Sequence, residues 1–223
     1  MKFRHELKHE ISLMDYYVLR QRLQAVAQPD IHGENGSYKI RSLYFDDDFD
    51  TALKEKINGI NLREKFRLRF YDDDVTYIRL EKKSKINGLC QKTAAVLSVK
   101  EVQKLLAGDI GWMVDSEEAI VRELYLKMVN KGLKPKTIIE YQRDAFVFPA
   151  GNVRVTLDSN IRTGIQCVDF FQSDCVMVPV AENPIILEVK WDEFLPGIIR
   201  DIVTLEGRQD VAFSKYAAGR IYG

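Results

Sequence analysis

Several short runs of this chain alternate charged and apolar residues with a period of two, and that alternation confines them to half-buried β-strands. The clearest is Phe66-Arg67-Leu68-Arg69-Phe70. A strand there puts both arginines on one side and three apolar side chains on the other. In Ile78-Arg79-Leu80-Glu81-Lys82-Lys83 the residues Arg79, Glu81 and Lys83 share a side. In Val153-Arg154-Val155-Thr156-Leu157-Asp158 the polar side carries Arg154, Thr156 and Asp158; in Leu187-Glu188-Val189-Lys190 it carries Glu188 and Lys190. Residues 2–11 alternate in the same way, with Arg4, Glu6, Lys8 and Glu10 on one parity.

Between these runs the pattern changes to helix signals and tight turns. Ser12 is placed to cap a helix that reaches Gln28 and stops at Pro29. Residues 38–45 read as a strand and 46–56 as a short helix with an acidic first turn, ending near Asn58-Gly59. Residues 65–71 and 76–83 form a hairpin around Asp72-Asp73-Asp74, and Asn87-Gly88 turns the chain into a strand at 89–97. Helices over 98–106 and 116–130 carry serine caps, and Gly132 ends the second. Strands follow at 136–148, 152–158, 167–179 and 185–191, then helices at 197–205 and 214–221. Strands joined mostly by hairpin-length turns, with helices inserted, predict an α+β domain built on an antiparallel barrel or strongly curved sheet.

The 223 residues, with 46% hydrophobic and 30% charged, suffice for one large domain without a visible linker. Lys+Arg and Asp+Glu are both 33, so bulk charge predicts no nucleic-acid or membrane binding. Aromatic residues are sparse on the basic runs, which also argues against single-stranded nucleic acid. No apolar run approaches the roughly 20 residues of a membrane span, and the charged N-terminus lacks a signal-peptide core. Cys90, Cys167 and Cys175 form no CxxC pair, so reduced thiols in a cytoplasmic protein are expected.

An anion site must then come from local clustering. A polar strand face ordinarily meets bulk water, and for any one strand that is the simplest reading. Across the alternating runs, however, the polar faces hold eight basic residues (Arg4, Lys8, Arg67, Arg69, Arg79, Lys83, Arg154 and Lys190). Against them stand five acids (Glu6, Glu10, Glu81, Asp158 and Glu188), a surplus of three in a neutral chain. If these faces turn inward, the lumen is polar and basic, and a polyphosphate is its natural occupant. Guanidinium groups chelate phosphate oxygens in bidentate fashion, and the acids suit a hard divalent metal that travels with phosphate.

Read in order, Arg4-His5-Glu6-Leu7-Lys8, Phe66-Arg67-Leu68-Arg69-Phe70, Leu80-Glu81-Lys82-Lys83, Gln142-Arg143-Asp144-Ala145-Phe146, Val153–Asp158, Leu187–Lys190 and Phe213-Ser214-Lys215 resemble the VTC (vacuolar transporter chaperone) domain. That domain is the polyphosphate polymerase of the triphosphate tunnel metalloenzyme superfamily, and the matches run from residue 4 to residue 215. The resemblance implies one domain over 1–223, an eight-stranded antiparallel tunnel, and transfer of the ATP γ-phosphate onto polyphosphate with Mn²⁺ or Mg²⁺. It implies phosphate binding by Lys8, Arg67, Arg69, Lys83, Lys92, Arg143, Arg154 and Lys215. Arg67, Arg69 and Lys215 would act at the reacting phosphate, and Glu188 with Glu6 would hold metal. The eukaryotic members carry an SPX domain and membrane helices, which this sequence lacks, so a separate membrane protein is a candidate partner. A tunnel lysine expected three residues before Lys215 is Ala212.

Two other chemistries compete. A triphosphate hydrolase of the same fold would need a base, for which Glu6 or Glu81 could serve, and a non-catalytic polyphosphate-binding module would need none. His5-Glu6-Leu7-Lys8-His9 is a literal HExxH string, and His32 is the one further histidine. On a strand, His5 and His9 lie about 13 Å apart, too far for one zinc.

Overall fold

The computed structural model describes residues 4–31, 36–86, 89–205 and 211–220. Ten strands and six α-helices follow in the order β1 (His5–Ile11), α1 (Leu13–Val26), β2 (Gln28–Pro29), β3 (Ser37–Asp46), α2 (Thr51–Ile57), β4 (Arg63–Tyr71), β5 (Asp74–Ile86), β6 (Leu89–Leu97), α3 (Val99–Leu106) and α4 (Ala119–Lys131). Then come β7 (Lys134–Phe148), β8 (Val153–Thr163), β9 (Val178–Pro179), β10 (Ile185–Trp191), α5 (Gly197–Val203) and α6 (Lys215–Arg220). The α+β antiparallel class is the one expected. The main hydrogen-bonded path has eight strands, β1-β10-β8-β7-β3-β4-β5-β6, with β2 on β7 and β9 on β8. The expected barrel is not closed, since among the described residues no ladder joins β6 to β1. Part of the outer edge of β1 is taken by another segment: the Val211 N–H donates to the Lys8 carbonyl at 2.8 Å.

The chain forms two compact units, and β3 and β7 run through both. The first comprises residues 1–40, 140–162 and 179–213. Its core lies on one face of β1, β10, β8 and β7, where Val153, Val155, Leu157, Leu187 and Val189 meet Leu19 and Leu23 of α1 and Ile199 and Val203 of α5. α1 starts where the sequence places it, because Ser12 and Asp15 form a capping box. Gly151 turns β7 into β8 at φ 72°, and a Cβ there would press into the Phe194 carbonyl. Gly151→Ala should therefore cost about 2–4 kcal/mol in urea unfolding, from overpacking plus left-handed strain.

The second unit comprises residues 41–139, 163–178 and 214–223. The apolar parity of β4 and β5, Phe66, Leu68, Phe70, Ile78 and Leu80, packs under Val102 and Leu105 of α3 and Ile120, Val121 and Leu124 of α4. Ser98 caps α3 as expected. α4 begins later than expected, at Ala119, while Ser116 follows a 3-10 turn and accepts from the Glu118 N–H. The 46–56 helix is shorter than predicted, because Asp46 ends β3 instead. Its buried carboxylate accepts the Ala52 and Leu53 N–H groups of α2 at 2.9 and 3.1 Å.

The strand expected over 167–179 is absent apart from β9. Its apolar residues do not alternate; Phe170 and Phe171 fold together into the core. The same loop brings Cys167 and Cys175 into contact, with Cα atoms 6.9 Å apart, a proximity the sequence reading did not anticipate. The Asp72–Asp73 turn forms as predicted, both residues at positive φ. Asn87, Gly88 and His32 lie outside the described residues. No described helix is long and apolar enough to cross a membrane.

Candidate phosphate and metal sites

In the second unit, strand register turns the basic parity of β4, β5 and β6 into rows. Lys65 stands opposite Lys83, which stands opposite Lys92; Arg67 pairs with Glu81 and Arg69 with Arg79. Four of these six cations, Arg67, Arg69, Arg79 and Lys92, reach one carboxylate, Glu81. Three lysines thus share one row, and like charges directly across a sheet repel one another.

Glu81 is the hub of this face. It is buried, and Arg67 chelates its Oε2 through Nε at 2.8 Å and Nη2 at 2.6 Å. Lys92 Nζ reaches Oε1 at 2.5 Å, and Arg69 and Arg79 lie at 3.7 and 3.9 Å. Burial opposes its charge, but Arg67, Arg69 and Lys92 hold its carboxyl far below the usual carboxylate range. Lys92 is drawn down to about 8, by burial first; Glu81 opposes the fall while Arg67 and Arg69 add to it. Behind the arginines, Ser42 Oγ accepts from Arg69 Nε at 3.1 Å and Tyr44 OH from Arg67 Nη1 at 2.9 Å. Lys215 begins α6 in the same unit, beside Tyr216, which stacks on Tyr44 at 5.1 Å. Ala212 is exposed.

The first unit has the opposite character. Unlike charges face one another: Glu6 opposite Lys190, Lys8 opposite Glu188. Lys8 Nζ lies 2.7 Å from Glu6 and 3.2 Å from Glu188, while Lys190 Nζ lies 3.5 and 2.8 Å from the same two carboxylates. Burial lowers both lysines; for Lys8 the pull of Glu188 and Glu6 outweighs it and holds the ammonium well above its usual range. Arg143 forks onto Asp158 at 2.6 and 2.7 Å and sits over the Tyr141 ring at 5.4 Å. Arg154 is held by Asp30 at 2.5 Å and Tyr38 OH at 2.7 Å.

The sequence-predicted residues therefore fall into two groups. Arg67, Arg69, Lys83, Lys92 and Lys215 lie in the second unit; Lys8, Arg143, Arg154, Glu6 and Glu188 in the first. Charge parity alone missed Tyr38, Ser42 and Tyr44, which are uncharged, and their even spacing on β3 was the only available signal.

The metal expectation can be tested on donor chemistry. Among the described residues no three His, Cys, Asp or Glu side chains converge to hold a metal. Glu6 and Glu188 share two ammonium groups, Lys8 and Lys190, and are the hard-oxygen pair that could hold a divalent ion there. The HExxH string lies on β1, and His5 stacks on Trp191 at 5.2 Å, as a strand requires.

Among solved structures, PH1012 from Pyrococcus horikoshii OT3 matches with a TM-score of 0.52 at 10% identity, over 99% of both chains. PH1819 from the same organism matches at 0.51 and 9% identity, over 96% of this chain and 97% of that one. The Bacillus halodurans protein bh2851, assigned provisionally as an adenylate cyclase, matches at 0.50 and 15%, over 85% and 80%. These likenesses show the fold. Among curated proteins, none matches the chain in sequence. The VTC domain matches residues 3–222, nearly the whole chain, in agreement with the ordered motifs from β1 to α6. The chain belongs to the VTC domain family.

Proposed function

We propose that this chain is a single VTC domain acting as a metal-dependent phosphotransferase, which moves the γ-phosphate of ATP onto a polyphosphate chain. The observation that carries the reading is the cluster of basic residues on β4, β5 and β6, four of which, Arg67, Arg69, Arg79 and Lys92, meet at Glu81. Arg67, Arg69, Lys83 and Lys92 grip phosphate oxygens, and Lys215 lies at the reacting phosphate. Lys8, Arg143 and Arg154 bind further phosphates. Glu188 and Glu6 hold Mn²⁺ or Mg²⁺, which when bound supplies charge neutralisation at the phosphate oxygens.

The chemistry asks for placement more than for covalent participation. An oxygen of the terminal phosphate of the chain forms a bond to Pγ, and the bond from Pγ to the β-phosphate oxygen breaks. ADP leaves with that electron pair. The acceptor is already an anion, so no general base is required. Bidentate guanidinium groups hold Pγ and neutralise charge on its oxygens as it transfers.

Purified protein incubated with ATP and Mn²⁺ should produce long phosphate chains on a gel, and Arg67→Ala should slow this at least tenfold, a barrier increase of about 1.4 kcal/mol. Release of free phosphate without chain growth would make the enzyme a hydrolase. Retained binding of polyphosphate with no turnover would reduce the domain to a binding module.

A further inference from the structure

Tyr44 is a buried phenol placed among cations. Its hydroxyl accepts from Arg67 Nη1 at 2.9 Å. Lys65 Nζ and Arg67 Cζ stand 5.6 and 5.7 Å from its ring centroid, and Tyr216 stacks on the ring. Ser42, two residues earlier on β3, holds Arg69 in the same manner. The two β3 oxygens therefore aim the paired arginines, while Glu81 holds Arg67 along its Nε–Nη2 edge.

We propose that Tyr44 is a proton-linked positioning residue of the phosphate grip: it orients Arg67, and it takes up a proton when a polyphosphate settles on the paired arginines. The inference rests on the phosphate-binding reading above.

The electrostatic balance supplies the sign. Burial alone would push the phenol up, but Arg67, Lys65 and Arg69 outweigh it and draw it down to about 7. The charged groups around it come from every neighbouring element. β4 gives Lys65, Arg67 and Arg69, β5 gives Glu81, and β6 gives Lys92, which bonds Glu81. α6 gives Tyr216, whose hydroxyl donates to Asp46 of β3 at 2.6 Å, with Lys215 beside it. Cations outnumber anions here, so the phenolate acts as a partial counter-charge in the ligand-free protein. Phosphate oxygens supply that charge themselves. The phenolate then gains nothing from the arginines, its pKa rises, and it binds a proton.

Near-ultraviolet absorbance of the ligand-free protein, titrated through neutrality, should show one phenolate forming with a midpoint near 7. The band should be missing in Tyr44→Phe and should fall when tripolyphosphate is added to the wild type. Calorimetry of tripolyphosphate binding in two buffers of different ionisation enthalpy should show proton uptake that Tyr44→Phe lacks. Wild-type affinity should weaken above neutrality relative to the variant, approaching tenfold per pH unit. A wild type whose tyrosines all ionise in the ordinary range near 10 would overturn the proposal, as would equal proton uptake in the two proteins. Because the absorbance titration uses the unmodified protein without ligand, it decides the matter even if the variant does not fold. Failure of tripolyphosphate to bind at all would instead overturn the function proposed above.

Discussion

Glu81→Gln should destabilise the protein by about 3–5 kcal/mol, because it removes a buried carboxylate on which Arg67, Arg69 and Lys92 converge. The carboxylate is buried, and Arg69 beside it is buried as well, so solvent does little to screen the charge left on that guanidinium. The pH dependence has a definite sign. A carboxyl held below its unfolded value contributes stability that is fully present above that value, near 4.3, and is lost as the pH falls toward the depressed folded value. The wild type should therefore lose stability steadily below about pH 4 through this group, and the variant should not. Anion binding should rescue the variant: tripolyphosphate at a hundredfold excess over its Kd returns about 2.7 kcal/mol. Urea unfolding with and without tripolyphosphate measures both effects. A variant as stable as wild type at neutral pH would show that the cations are solvated rather than neutralised by Glu81.

Asp158→Ala should cost a similar 3–5 kcal/mol, for the complementary reason. Asp158 is fully buried and takes both ends of the Arg143 fork. Its loss leaves a guanidinium inside the first unit, with Glu188 Oε2 at 4.0 Å as its nearest remaining carboxylate. The pair as such need not stabilise the fold, since two ions pay a desolvation cost that their attraction only partly returns. A double variant, Arg143→Met with Asp158→Leu, should recover most of the loss. Denaturant unfolding of the two single variants and the double variant forms a cycle with a large coupling energy. Additive losses would mean that Arg143 finds another partner.

Most of the fold is legible in the period-two alternation of the sequence. Phe66, Leu68 and Phe70 in the core and Arg67 and Arg69 on the other face follow from parity alone. The Ser12 and Ser98 caps are equally readable, because a capping box is a local hydrogen-bond pattern. The 167–179 segment reads wrongly as a strand because its apolar residues pack as a folded loop, and a short apolar run does not distinguish loop from strand. Strand alternation does not encode which edges pair, so neither the missing β6–β1 ladder among the described residues nor the Val211 contact on β1 is readable from it.

At the site, counting charges locates the basic surplus but not its distribution. Register decides that Lys65, Lys83 and Lys92 share a row of like charge, whereas Glu6, Lys8, Glu188 and Lys190 alternate. Parity cannot supply register across strands. For the same reason Glu81, an acid among basic residues in the sequence, emerges as the hub of the cluster only when β4, β5 and β6 are paired.

On the proposed reading the cations around Glu81 bind phosphate, and isothermal titration calorimetry of tripolyphosphate against wild type and Arg67→Ala/Arg69→Ala measures this. Saturable binding to the wild type that weakens with salt is expected, with at least a hundredfold loss in the double variant, about 2.7 kcal/mol. Equal affinity in the two proteins would contradict the claim.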